Sequence, residues 1–347
     1  MPNRFRASDF RFLAGVLLPV GLLFNMLAHP EQAAIGAFVI WITVACVDAF
    51  WPGADRSPPA GGSEAFTLGI LRFYVFVQVS LLALGLWVAM HSSWPVALGV
   101  AYATGFMTGA QGITYAHELG HSKRKADRVL GWVLMMSVNY PQFMVEHYRG
   151  HHVRVATRDD PASARFGESL WRFLPRTVVG STVHAWQLEA KWLRERSRGW
   201  HSSPLLWATA VDVAILVVLM AFGSWPVLLF WVVQSAFAIW LLETVNYVEH
   251  YGLERTTLAN GQREAFGVNH AWNADHVLSN SLLANLQRHS DHHMHAWKPY
   301  AQLEPLPGPQ LPTGYAGCLL LAAFPPLWFR LMHPRIESRG QALPASP

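Results

Sequence analysis

Charge is scarce in this chain. Of its 347 residues only 14% are charged and 52% are hydrophobic, whereas a soluble domain carries about 25% charged residues. Cysteine is scarcer still. Cys46 and Cys318 are the only two, and both lie inside apolar stretches. Two isolated thiols exclude a cysteine-held iron–sulfur cluster, a zinc ribbon and a disulfide framework. No Gly-x-Gly-x-x-Gly follows a strand, so no built-in dinucleotide carrier is expected. No basic stripe interleaved with stacking aromatics lies outside the apolar runs, which argues against nucleic acid. The N-terminal MPNRFRASDFRF is not followed by a small-residue cleavage site. The first apolar stretch is therefore read as a retained helix and not a signal peptide.

Long apolar runs are abundant, and the mean hydropathy is +0.20 despite 17 histidines and 22 prolines. A spanning helix needs about 20 apolar residues. Six segments qualify, at residues 12–28, 33–50, 68–90, 95–115, 205–222 and 226–248. They form three pairs joined by very short connections without lysine or arginine. The other side is basic. Arg4, Arg6 and Arg11 precede the first run, Arg56 lies between the second and third, and residues 116–203 hold fourteen lysines and arginines. Basic residues near spans favour the cytoplasm. The expectation is an all-α integral membrane protein with six transmembrane helices in three hairpins. Both termini and the segments 116–203 and 249–335 fall on the cytoplasmic side of an inner (plasma) membrane. Residues 1–335 read as one domain, and 336–347 read as a disordered tail. The apolar stretches 130–143 and 317–331 are too short and too proline-broken to span, and read as buried or interfacial.

Histidine carries the chemistry. Four groups stand out: His117-Glu118-Leu119-Gly120-His121, Glu146-His147-Tyr148-Arg149-Gly150-His151-His152, Asn246-Tyr247-Val248-Glu249-His250 and His289-Ser290-Asp291-His292-His293. Residues three or four apart share a helix face. His117 with His121, His147 with His151, and His289 with His292 and His293 are therefore expected to present common faces. Such pairs of neutral imidazoles chelate transition metals. Each group lies at a cytoplasmic helix end or in a cytoplasmic segment, so nine histidines meet at one depth. Nine exceed the coordination of one ion, and two ions with open positions fit the number. Ligand type alone leaves iron, zinc, copper and nickel open. Glu118, Glu146, Glu249 and Asp291 adjoin the groups and are candidates to accept the second ring N–H of a ligand histidine. Asn246 is a candidate orienting group. His184, His201 and His333 read as surface residues, and His29 and His91 as turn residues. His-Glu-x-x-His is also the zinc-protease helix, a rival reading that leaves seven histidines unexplained.

The strings HELGH, EHYRGHH and QRHSDHH resemble the three histidine boxes of membrane-bound di-iron desaturases and hydroxylases. Over residues 146–163, 246–253 and 286–293 the chain is similar to the alkane 1-monooxygenase family, and the resemblance extends across roughly residues 100–335. It departs at Ser122, ahead of Lys123, and at Met294. The resemblance implies a non-haem di-iron centre held by His117, His121, His147, His151, His152, His250, His289, His292 and His293, with O2 as co-substrate. It implies terminal hydroxylation of alkanes or similar apolar chains, with aromatic-methyl hydroxylation or lipid desaturation as alternatives. No catalytic residue beyond the metal centre is implied. Electrons would come from a rubredoxin or ferredoxin with an NAD(P)H-dependent reductase. Apolar aromatics such as Trp51, Phe73, Phe76, Trp87, Phe106 and Trp240 are candidates to line a substrate channel.

Overall fold

The computed structural model describes residues 7–51 and 63–338. Arg4, Arg6, Arg56 and the segment beyond 338 lie outside the described residues. Among the described residues there is no β-strand, only the isolated bridges Thr257–Arg263 and Asn273–Gln310.

A 3-10 turn at Ala7–Leu13 leads into α1 (Ala14–Ala28). α2 (Ala33–Phe50) and α3 (Glu64–His91) follow. α4 (Trp94–Met107) starts with Pro95 in its first turn, where a missing N–H costs nothing. It passes through a π-helical turn (Thr108–Gly112) into α5 (Ile113–His121). The run expected at 95–115 is therefore one helical course, which continues as far as His121. α6 (Lys125–Met136), α7 (Phe143–Glu146), a second π turn (His147–His151) and α8 (His152–Arg154) form a compact segment. α9 (Leu170–Glu195) is long and amphipathic. α10 (Pro204–Phe222) and α11 (Trp225–His250) follow, each with proline in the first turn. The C-terminal part carries α12 (Val277–Leu282), α13 (His289–Met294), α14 (Tyr315–Ala322) and α15 (Pro325–Glu337).

Among the described residues five helical stretches are long and apolar enough to cross a membrane: Asp9–Ala28, Pro30–Phe50, Glu64–His91, Pro204–Phe222 and Trp225–His250. α14 and α15 would make a sixth but are bent 119° apart. Pro325 and Pro326 open α15 and cannot extend α14. Helix α15 reaches two residues into the segment expected as tail. α15 continues to Glu337 because Trp328, Met332 and Ile336 recur every four residues and are all buried.

α11 is the central helix and packs along α4, α3, α9 and α14. The contact with α4 is close because Gly105 and Gly109 face it. A Cβ on Gly105 would stand 2.7 Å from the Gln234 carbonyl, and one on Gly109 2.9 Å from the Ala238 Cα. Small residues four apart are the usual device for such close helix approach in lipid. α2 is tied to α14 by the Trp41 indole N–H donating to the Ala316 carbonyl at 3.0 Å. Asp48, at the end of α2, accepts from the Ser279 hydroxyl. Phe73, Phe76, Trp87 and Trp51 are exposed on the outside of the bundle, where lipid takes the place of water, and do not line an interior channel. α5 packs on α6, and Tyr148 donates to the His117 carbonyl at 2.9 Å. These contacts hold the ends of α5 and α11 beside α13.

Candidate metal centre

The nine histidines converge as two groups, each with one ligand atom per residue and all such atoms within 4.8 Å of one another. The first group is His117, His121, His147, His152 and His292, and the second is His151, His250, His289 and His293. This division differs from the expected shared faces. His147 and His151 part company because residues 147–151 form a π turn. Its wider turn aligns residues five apart, so His147 faces His152, Nε2 to Nε2 at 3.0 Å. His289 and His293 stay together at 2.9 Å, while His292, between them, turns to His117 at 2.9 Å. His250, the last residue of α11, meets His289 at 3.1 Å.

These separations bear on whether an ion fits. Two nitrogens about 2.1 Å from one ion and at right angles lie about 3 Å apart. The four nitrogen pairs match that spacing. The Nε2 atoms of His121 and His151 are buried and without a hydrogen-bond partner. Neutral imidazoles are needed to offer lone pairs. Burial, and then the neighbouring imidazoles, push His147, His152, His289, His292 and His293 well below the usual histidine range. The donor set therefore fits two transition-metal ions.

The carboxylates take different places from those their sequence positions suggest. Glu249 Oε1 lies 3.2 Å from His289 Nδ1 and accepts from the Tyr315 hydroxyl at 2.6 Å. Glu118 Oε1 lies 3.6 Å from His117 Nδ1 and 4.0 Å from His292 Nδ1. It is on the Nδ1 side of those rings, away from the converging nitrogens, so it is not placed as the water-activating glutamate of a zinc protease. Glu146 turns from the cluster to His184 Nδ1 at 2.5 Å and Arg154 at 3.8 Å. Burial and the charge of Asp160 push it up to about 8. Asp291 also turns away and takes His295 at 2.7 Å, Lys298 at 2.8 Å and the Glu304 N–H at 2.7 Å. His184 is not a surface residue, since it is held between Glu146 and Arg154. His333 is likewise half-buried against the Tyr251 hydroxyl at 2.9 Å. Asn246 faces no histidine. It donates to Glu243 at 3.1 Å.

Sequence reasoning missed two carboxylates. Asp160 Oδ2 sits 2.9 Å from His151 Nδ1 and also accepts from Ser163 at 2.6 Å. Burial works to raise Asp160, but the contacts with His151 and Ser163 bring it below its usual value. It lies in a loop with no periodicity to announce it. Its only signal was its place inside the EHYRGHH…RDDPAS string. Glu243 sits fully buried in α11 and accepts from Tyr140 at 2.8 Å, Thr177 at 2.8 Å and Asn246.

A cavity that opens to the outside, with about 940 Å3 of space including its open mouth, adjoins both groups. Its metal-side end is His117, His147 and His289 with Asn246 and Glu249, and its walls include Trp41, Phe106, Leu241 and Leu319. Trp41 stacks on Phe106 at 5.6 Å. Of the expected channel aromatics only Phe106 lines this space, while Trp240 packs behind Trp41 at 6.1 Å.

The fatty acid desaturase family profile matches residues 92–315. "Alkane 1-monooxygenase 1" of Pseudomonas aeruginosa is 41% identical, over 95% of this chain and 91% of its own length. "Alkane 1-monooxygenase 2" of the same organism is 37% identical, over 86% and 84%. The "Xylene/toluene monooxygenase hydroxylase component XylM" of Pseudomonas putida is more distant, at 27% over 67% and 63%. At this extent of identity and coverage, the chain belongs to the alkane 1-monooxygenase family of fatty acid desaturase-like membrane proteins.

Proposed function

We propose that this chain hydroxylates the terminal C–H of alkanes or similar apolar chains, with one iron in each histidine group. The observation that carries this reading is the apolar cavity that ends on His117, His147 and His289. Its relatives are named for alkane monooxygenation, and a cavity walled by Trp41, Phe106 and Leu241 binds chains through apolar area and not through polar recognition. The reading assigns His117, His121, His147, His152 and His292 to one ion and His151, His250, His289 and His293 to the other.

Held by these two histidine groups, a pair of irons would supply the redox chemistry for hydroxylation of a C–H bond with O2. The chain's own residues do the rest. The aromatic walls exclude water and align the substrate end-on, so that its terminal carbon is the part that reaches the histidines. Asp160 holds the His151 ring with Nε2 turned inward, and Glu249, fixed by Tyr315, does the same for His289. Asn246, anchored by Glu243, presents its amide at the metal-side end of the cavity.

Cys46 and Cys318 cannot assemble an electron carrier, so electrons come from a separate protein, a rubredoxin or a ferredoxin served by an NAD(P)H-dependent reductase. The basic segment 116–203 and the lysine- and arginine-free short connections support a metal centre on the cytoplasmic side of the inner membrane. In this reading the spans pair as three hairpins within one domain.

The test is product and metal analysis on the full chain in membranes with a rubredoxin system. Primary alcohol from octane or hexadecane, with about two irons per chain, is the expected result. One zinc per chain would sink the reading. Turnover of a xylene but no alkane would move the substrate to aromatic methyl groups.

A further inference from the structure

A second cavity borders the first histidine group at His121, a residue that does not line the alkane space. It holds about 1170 Å3 of empty space and includes Glu118 and His121 in its lining. Its mouth is formed by the turn from Ser122 to Lys125 and by the segment after α13. Lys123, Arg124, Lys125 and Arg128 are all exposed there. The turn is held in shape by Arg128, which donates to the carbonyls of Ser122 and Lys123 at 2.8 and 2.9 Å. Ser122 in turn donates to Asp127 at 2.8 Å. Asp127 is occupied by Arg72 at 2.8 Å and does not neutralise the turn. The acids near the mouth are few. Glu64 is exposed, and Asp291 and Glu304 are engaged by Lys298 at 2.8 and 3.1 Å. Trp297, on the cavity wall, is 69% exposed.

We propose that this cleft is the docking face for an acidic, electron-carrying protein, with Lys123, Arg124 and Lys125 as its charged rim and Trp297 as its apolar contact. The inference rests on the functional reading above, which requires an external donor. Charge complementarity selects the occupant. A compact cationic rim around one exposed indole suits an anionic protein surface, since rim charges steer approach and a buried aromatic supplies adhesion. The floor explains the location. His121 belongs to the first histidine group, and Lys298 is tied to Asp291, the neighbour of His292. A carrier seated here borders the first group at His121, while the alkane space meets that group at His117 and His147. Anionic lipid is the competing occupant of the same cations, and the experiment separates the two.

The full chain, in phosphatidylcholine nanodiscs, is titrated with an oxidised rubredoxin of net negative charge. Combined Lys123→Glu, Arg124→Glu and Lys125→Glu should weaken binding at least about tenfold at about 50 mM salt, with the difference fading at about 500 mM. The Gln versions should give an intermediate loss, and Trp297→Ala a loss that persists at high salt. Combined reversal of Arg194, Arg196 and Arg198, a separate basic cluster around Trp192, should leave affinity within about twofold of wild type. Unchanged metal content in each variant shows that the fold is intact. Wild-type affinity in the Glu triple variant overturns the proposal. So does a salt-dependent loss that follows the Arg194 cluster, or a rim effect seen only in phosphatidylglycerol nanodiscs. Reduced methyl viologen, a donor too small to need the face, should give the Glu variant the same alkanol yield as wild type. If the wild-type chain binds the carrier but makes no alkanol from either donor, the hydroxylase reading falls and the docking face stands.

Discussion

His147 and His152 face each other, Nε2 to Nε2 at 3.0 Å, across a π-helical turn, while His151, one residue nearer, faces His250 and belongs to the other group. A single local irregularity thus lets three histidines within six residues serve two sites. In the same turn a Cβ at Gly150 would lie 2.5 Å from the Glu146 carboxylate, which would have to shift to admit it.

This division makes metal loss selective. His151→Ala should reduce iron from about two per chain to about one, with the protein still inserted, because the first group keeps all five members. His121→Ala should remove the other equivalent. Metal analysis on purified protein checks both. Full iron in His151→Ala would defeat the assignment.

Asp160→Asn tests the carboxylate behind His151. The shape is retained but the charge that orients the His151 ring is lost. Metal affinity should fall by about 10–100-fold, which a chelator competition measures. Asp291→Asn, whose carboxylate faces His295 and Lys298 instead, should change affinity much less.

Glu243→Leu should destabilise the fold by about 3 kcal/mol or more. It leaves the Tyr140 and Thr177 hydroxyls and the Asn246 amide buried without an acceptor, each at a cost of about 1–3 kcal/mol. Glu243→Gln keeps an acceptor and should cost about half as much. Thermal unfolding in detergent ranks the two, and equal melting temperatures for wild type and the leucine variant would refute the network's role.

Asp127 gives a pH dependence with a definite sign. Burial works to raise its carboxyl, but hydrogen bonds from Arg72 and Ser122 and the charge of Arg72 hold it below its usual value. Its contribution is therefore present above the unfolded value of about 3.9 and is lost as pH falls through the lower folded value. The Arg72 partner is 37% exposed, so solvent screening limits the contribution to about 1 kcal/mol. Asp127→Asn should melt lower than wild type at pH 7, and the gap should close on acidification toward pH 3. A gap that widens at low pH would contradict the ion pair.

Five of the six expected spans and the convergence of the nine histidines were legible because both depend on simple periodicities: apolar run length, and imidazoles three to four residues apart. The assignment of those histidines to sites was not legible, because the π turn at 147–151 breaks the 3.6-residue phase on which spacing arguments rest. Glu146 and Asp291 were misplaced for a related reason. Adjacent residues on a helix point about 100° apart, so neighbours in sequence are poor guides to partners in space. Glu249 does reach a histidine, but it is His289 and not the adjacent His250. Asp160 comes from a loop, where no period exists. Ile336 falls at the start of the expected tail, yet Trp328, Met332 and Ile336 mark one buried helix face.

α13 contributes to both histidine groups, His292 to the first and His289 and His293 to the second. The order of synthesis then sets the order of assembly. The helices that bear His117 and His250 can insert while the ribosome is still at work, yet neither group is complete until residue 293 has left the exit tunnel. On the proposed assignment metal loading follows synthesis of α13, and a chain truncated ahead of α13 would carry two partial groups and retain neither ion.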